Sequence, residues 1–285
     1  MANGAAPAWF ARPPRGSARL AAAAALVLAA SGPLRAPAFA QDVGSGLKET
    51  LYSAEDAADF LSQPWKFNLQ PTYERRANGS SGYLLLQPYL TFDAGVLIWT
   101  RFEWPVPQVD DQGGSTTAGV GDLQWVTLGG LMASERYGRL GTGPVFVFPT
   151  ASSSEMGQGK FQIGPALGYS YRGLKAWQFA FLLQQFFSFA GDPDRSRVNE
   201  LKLQPYVTRL LSDSWYVQTK PTIELNFAKG TSSVPLDLVI GTVVGGRWSL
   251  YLEATVYPGW TSPPSTDYKL TLNVGYLFPP PLSRP

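Results

Sequence analysis

Between Tyr268 and Tyr276 the chain alternates between two kinds of residue, and the apolar set continues to Phe278. One set of alternate positions reads Tyr268, Leu270, Leu272, Val274, Tyr276, Phe278, and the other reads Lys269, Thr271, Asn273, Gly275, Leu277. A period of two means a β-strand whose faces meet different solvents. The apolar face starts and ends on aromatic rings, as expected of a strand that crosses a bilayer with a ring at each interface. From residue 65 onward the sequence reads as further copies of this strand.

The first forty residues read differently. Arginines at 12, 15 and 19 precede an apolar run from Leu20 to Ala30, and Ala38-Phe39-Ala40 has the small-x-small form of a cleavage site. Residues 1–40 are therefore expected to be an export signal. That leader holds four of the 23 Lys and Arg and none of the 21 Asp and Glu, so the rest is slightly acidic. A basic surface for nucleic acid is not expected. Beyond the leader no apolar run approaches 18 residues, which excludes a helical membrane span. Without cysteine, an exported chain must be held by its fold rather than by disulfides.

Residues 41–64 are expected to form a periplasmic N-terminal segment. Leu47, Leu51, Ala54 and Ala58 share one side of a helical spacing, with acids at 49, 55, 56 and 59. A free helix or tail is preferred there over a plug inside a barrel. Alternating segments then fall at 65–75, 82–92, 94–105, 119–133, 137–149, 160–172, 175–189, 197–211, 214–226, 233–245, 247–257 and 267–278. The fold class that follows is all-β, a transmembrane antiparallel barrel of about 12 strands over residues 65–279, with a tail at 280–285. Long polar connections (Ala77 to Ser81, Val106 to Ala118, Thr150 to Gly159, Ala190 to Ser196, Ala228 to Ser232, Pro258 to Ser265) take turns with very short ones, as outer loops do with periplasmic turns. Trp65, Trp177, Trp215 and Trp248 each open a strand just after a short turn and are expected to form one membrane girdle.

With those rings outward, the other face is polar. Lys66, Glu74, Arg101, Glu103, Asp122, Gln124, Glu200, Lys202, Lys220, Glu224, Glu253 and Lys269 are the expected lining of the lumen. They carry both signs, which suits structural ion pairs as well as solute selection. Pro71, Pro88, Pro144, Pro165, Pro205 and Pro221 lie inside strands, all on the outward register, where bulges or broken ladders are expected. Twelve strands about 4.8 Å apart and tilted about 40° give a backbone diameter of about 24 Å and a bore of about 10 Å or less. That bore admits one small solute at a time.

The chain has no histidine and no cysteine. Ser-His and Cys-His nucleophiles are impossible, as are zinc sites of those ligands, so neither an enzyme nor a cofactor is expected. Gly157-Gln158-Gly159-Lys160 lacks the first glycine and the hydroxyl residue of a phosphate loop and reads as a hairpin connection. Asp110-Asp111 and Asp192-Pro193-Asp194 read as solvated turn residues before they read as ion ligands.

Three stretches carry a family likeness: Gly119-Val-Gly-Asp-Leu-Gln124; Phe148-Pro-Thr-Ala-Ser with Met156-Gly-Gln-Gly-Lys-Phe-Gln-Ile-Gly-Pro165; and Gly275-Tyr-Leu-Phe-Pro279. In these the chain resembles bacterial outer-membrane transporters known as neuromedin-U-like or meta-pathway phenol-degradation proteins. The resemblance implies a barrel that passes small compounds, hydrophobic or aromatic ones included, and it brings no catalytic residues. One departure is the seven residues after Phe278, where assembly machinery usually reads a terminal aromatic. The expected function is a narrow outer-membrane channel or facilitator. Its expected partners are outer-membrane lipid and lipopolysaccharide, the barrel-assembly machinery and a small solute; a non-conducting structural or surface-binding barrel is the alternative.

Overall fold

The structure, a computed structural model of the chain, describes residues 51–62, 64–112, 115–134, 136–258 and 266–279. The expected leader, the first part of the 41–64 segment and the 280–285 tail lie outside the described residues. One short helix, α1 (Ala54–Ala58), precedes twelve antiparallel strands. These are β1 (Trp65–Arg76), β2 (Gly79–Asp93), β3 (Leu97–Gln112), β4 in two pieces (Ser115–Gly119 and Leu123–Ser134), β5 (Gly138–Phe148) and β6 (Lys160–Leu174). There follow β7 (Trp177–Gly191), β8 (Asn199–Leu210), β9 in two pieces (Trp215–Thr219 and Ile223–Asn226), β10 in two pieces (Thr231–Ser233 and Leu236–Val244), β11 (Trp248–Val256) and β12 (Thr266–Phe278).

Each strand pairs with the next, and β12 returns to β1 with Phe278 opposite Trp65, so the sheet closes and has no long free edge. Registers carry the alternation from strand to strand. Thr72 faces Thr271 on one side and Tyr83 on the other, and both neighbours point inward with it. On β7, Trp177, Phe179 and Phe187 are exposed on the outer face, whereas Gln178, Leu182, Gln184 and Phe186 are buried inside. Of the six prolines expected in strands, Pro71, Pro88, Pro144, Pro165 and Pro205 occupy outward register positions, Pro144 and Pro165 facing each other across β5 and β6, whereas Pro221 falls between the two pieces of β9.

Connections at one end are 94–96, 135–137, 175–176, 211–214 and 245–247; this is called the helix end, because α1 lies there. Connections at the other, the loop end, include 149–159 and 192–198. Two expected loops are strand instead. Ala77 to Ser81 shrinks to a two-residue turn with Gly79 paired to Arg76. Most of the Val106 to Ala118 loop is a projecting hairpin in which Ser115–Gly119 pairs with β3 from Gln112 back to Gln108. Its Asp, Gln, Thr and Ser residues look like loop composition, yet paired beyond the membrane band they need no apolar face.

The interior departs from a wholly polar lining. Val126, Leu128, Val145, Val147, Ala166, Leu182 and Phe186, all inward on β4 to β7, form a buried apolar wall. Glycines bend the wall there: a Cβ on Gly164 would lie 1.6 Å from the Gln185 carbonyl oxygen, and one on Gly143 would lie 2.1 Å from that of Thr127. Only glycine allows neighbouring strands to approach so closely. The opposite half, β8 to β12 with β1 to β3, keeps the polar lining.

Candidate functional site

Within the polar half, side chains from successive strands bond to one another. Gln70 Nε2 donates to Gln87 Oε1 at 2.7 Å, Gln87 Nε2 to Glu103 Oε1 at 2.7 Å, and Gln124 Nε2 to Glu103 Oε2 at 3.1 Å. Arg101 pairs with Glu103 at 3.2 Å. Across the lumen Lys202 holds Glu200 at 3.2 Å and Glu224 at 3.0 Å, and Lys220 holds Glu253 at 2.9 Å. Arg76 joins Glu74 at 3.1 Å to Asp110 at 3.0 Å near the loop end. All of these but Glu200, Arg76 and Asp110 line a cavity of about 430 Å³, into which Lys269 also points, without an ion pair among the described residues. Gln184 lines it too, and its Nε2 has no hydrogen-bond partner among the described residues.

Toward the helix end the cavity narrows at a layer of tyrosines and cations. Tyr89 has the Lys66 ammonium and the Arg101 guanidinium each 5.7 Å from its ring centre. Lys220 Nζ sits 4.5 Å from the Tyr251 ring centre, and Tyr206 donates to Gln204 Oε1 at 2.6 Å. Only about 60 Å³ of space remains at this level, and Phe60 forms part of its floor.

That floor belongs to residues 51–62, which enter the barrel from the helix end. Ser53 starts α1 with a reciprocal capping box to Asp56, so a turn of helix forms from local sequence. Two bonds fasten it to the turns around it: Tyr52 N donates to Gly246 O at 2.8 Å, and Ala54 N to Asp213 O at 2.7 Å. Carbonyls that a short helix leaves free are taken by inward side chains of the wall. Gln178 Nε2 donates to Glu55 O at 3.0 Å, Gln218 Nε2 to Ala58 O at 3.1 Å, and Lys66 Nζ to Ala57 O at 3.3 Å and to Asp59 O.

Asp59 is the centre of this plug. Its carboxylate accepts from Arg172 Nε at 2.6 Å, Ser170 Oγ at 2.7 Å and the Leu61 amide at 2.8 Å, with Arg139 Nη1 at 3.5 Å. Burial alone would raise its pKa, but the Arg172 and Lys66 charges and the Ser170 and Leu61 hydrogen bonds outweigh that, and the carboxyl is held below the ordinary value of 3.8. Next in sequence, Phe60 and Leu61 lie on the apolar wall, and Phe60 stacks on Tyr206 with ring centres 5.1 Å apart. The inner apolar wall thus has an occupant: it is the seat of the plug. The preferred expectation of a free periplasmic helix or tail does not describe residues 51–62, because burying Phe60 and Leu61 and neutralising Arg139 and Arg172 both favour the lumen.

Of the expected lining residues, Lys66, Glu74, Arg101, Glu103, Gln124, Glu200, Lys202, Lys220, Glu224, Glu253 and Lys269 stand on inward register positions, and most meet around the one cavity. Lys66 and Glu200 sit at its margins, Lys66 in the narrow layer and Glu200 beyond Lys202. Asp122 does not join them. The break between the two pieces of β4 turns it to the loop end, where its oxygens accept from Ala151 N at 3.1 Å and Gln158 N at 2.7 Å and hold the 149–159 connection. Trp65, Trp177, Trp215 and Trp248 all lie at the helix end on the outer face. Sequence reasoning missed Asp59, Arg139 and Arg172. A signal existed, since two inward arginines on neighbouring strands lack any acid on those strands to pair with.

No family model matches the chain, and a search for relatives in sequence finds no match. Solved structures share the fold. An outer-membrane channel from Pseudomonas putida superposes with a TM-score of 0.63 at 10% identity over 83% of this chain and 100% of that one. The NanC porin superposes with a TM-score of 0.51 at 13% identity over 74% of this chain and 98% of its own. At such identities the likeness shows a shared barrel fold.

Proposed function

We propose that this chain is an outer-membrane channel that passes small solutes singly and is held closed by residues 51–62. One observation carries the reading: a closed barrel, apolar outside, encloses a polar cavity of about 430 Å³ that narrows through a layer of tyrosines and cations to a floor formed by the ion-paired plug. A plug made of a separate segment can leave without unfolding the sheet. A wall closed only by its own side chains would have been the better scaffold. The helix end is placed in the periplasm, because short turns and both chain ends of a barrel lie there. Support comes from the two fold relatives, one an outer-membrane channel and the other a porin.

The lining suits small amphipathic solutes. Paired charges and glutamines offer donors and acceptors, and Tyr83, Tyr89, Tyr206 and Tyr251 offer ring faces to an apolar or aromatic body. This agrees with the solutes that the family resemblance implies.

Planar-bilayer recordings of the full chain beside a form lacking residues 51–62 test the reading. Rare, small openings in the first and a steady conductance in the second are expected. Correctly folded protein that conducts in neither form would leave the non-conducting barrel as the better description.

A further inference from the structure

The charges around the 430 Å³ cavity do not all pair with one another. Among the described residues four acids line it, Glu74, Glu103, Glu224 and Glu253, with four cations, Arg101, Lys202, Lys220 and Lys269. Glu103 is held by Arg101, Glu224 by Lys202 and Glu253 by Lys220. Glu74, opposite Lys269 in the ladder, is held instead by Arg76, which does not line the cavity. Both Glu74 oxygens are engaged, Oε2 by Arg76 at 3.1 Å and Oε1 by the Tyr83 hydroxyl at 3.2 Å. Those of Glu253 are engaged by Lys220 at 2.9 Å and by Thr255 Oγ1 at 3.4 Å. Lys269 is the cation left over.

A second donor without a partner stands on the far wall. Gln184 lines the cavity from β7 and is 4% exposed, and its Nε2 meets no acceptor among the described residues. Its cross-strand neighbour Ala166 and the inward residues on either side of it, Leu182 and Phe186, have no side-chain acceptor to give. Lys202, opposite it on β8, is itself a donor and is turned to Glu200 and Glu224. A buried amide in this state costs free energy that an incoming acceptor returns. Water can solvate Lys269 in a wet cavity, but both open groups are donors, and β7 and β12 lie on nearly opposite sides of the closed sheet. With a backbone diameter of about 24 Å and side chains reaching in from both walls, about 10 Å of bore separates them.

Resting on the channel reading, we propose that the cavity is a binding site for small carboxylates, the carboxylate taken by Lys269 and a hydrogen-bond acceptor at the solute's other end by Gln184. A carboxylate completes the missing ion pair without displacing one already formed. Its far end finds the donor that the apolar wall leaves open. A cation of the same size meets Lys269 instead, with no unpaired acid to receive it.

Binding is read on the full chain folded in detergent, by calorimetric titration with 6-hydroxyhexanoate. The neutral and cationic counterparts are 1,6-hexanediol and 6-amino-1-hexanol, and heat-modifiable gel mobility checks that each variant is folded. We expect 6-hydroxyhexanoate to bind about ten-fold or more tightly than either counterpart. Lys269→Met should lower its affinity by about ten- to a hundred-fold, the range of a hydrogen bond to a charged group, and Lys269→Arg should keep most of it. Gln184→Leu should weaken 6-hydroxyhexanoate by about five-fold and leave hexanoate, which lacks the far acceptor, unchanged. Equal affinities for the three solutes, or wild-type affinity in Lys269→Met, overturn the carboxylate site. Hexanoate weakened by Gln184→Leu as much as 6-hydroxyhexanoate overturns the part given to Gln184. A folded chain that binds none of them yet conducts in planar bilayers overturns the inference and leaves the channel reading standing. One that neither binds nor conducts removes both.

Discussion

Removing the Asp59 carboxylate should unseat the plug. In Asp59→Ala, Arg139 and Lys66 lose the anion they surround and Arg172 keeps only Asp56 at 3.2 Å and Glu55 at 3.9 Å, while α1, Phe60 and Leu61 remain. Breaking a buried ion pair by deleting one partner costs about 3–5 kcal/mol, because the other charges stay buried and unpaired. Here the plug can undock, and the arginines then regain water. The cost therefore appears as a shift between docked and undocked plug rather than as unfolding of the barrel. At about 1.4 kcal/mol per factor of ten, the undocked fraction should rise by about a hundred-fold to a few thousand-fold. Single-channel recording reads this as open probability, and limited proteolysis within residues 51–62 reads it independently. Melting of the barrel should change little. An Asp59→Ala channel with wild-type open probability and wild-type protection of that segment would refute the plug's dependence on this ion cluster.

Acid should act through the same group. Its folded carboxyl titrates below 3.8, so its contribution to docking is complete above that value and is lost as the pH falls through the lowered one. Open probability should be flat from neutral pH to about 4 and rise only below that, and Asp59→Asn should abolish the rise. Lys220→Ala leaves Glu253 unpaired in the lining, so the zero-current potential in a salt gradient should shift toward cation preference; an unchanged potential would place Lys220 outside the ion path. Asp122→Ala removes the acceptor of two loop amides, each worth about 1–3 kcal/mol, and should speed protease cleavage within 150–159 on intact cells without altering conductance.

The barrel was legible because the solvent differs on the two sides of most strands. In β1, Trp65, Phe67, Leu69 and Tyr73 alternate with Lys66, Asn68, Gln70 and Thr72, which marks a strand between two solvents, and the export leader with the aromatic strand ends points to lipid on the apolar side. In β7 both faces are apolar, Phe179, Phe181 and Leu183 outward with Ala180, Leu182 and Phe186 inward, so period two marks the strand but not the buried wall. The plug was harder still. Its seat is assembled from Arg139, Ser170, Arg172 and Leu182, which lie far from the plug in sequence, and Phe60-Leu61 after an acidic helix looks the same in a tail. Asp122 was misplaced because the even spacing to Gln124 assumes an unbroken strand, and residues 120–122 break it.

The sidedness of the wall can be measured position by position. Single cysteines at Leu270, Leu272, Lys269 and Glu224 would carry nitroxide labels in the full chain in bilayers, with collision rates read against oxygen, which concentrates in lipid, and against a nickel chelate, which stays in water. We predict that Leu270 and Leu272 collide mainly with oxygen, and that Lys269 and Glu224 collide mainly with nickel. Nickel access at both leucines, or oxygen dominance at the two lumen positions, would contradict a lipid-facing exterior around a wet interior.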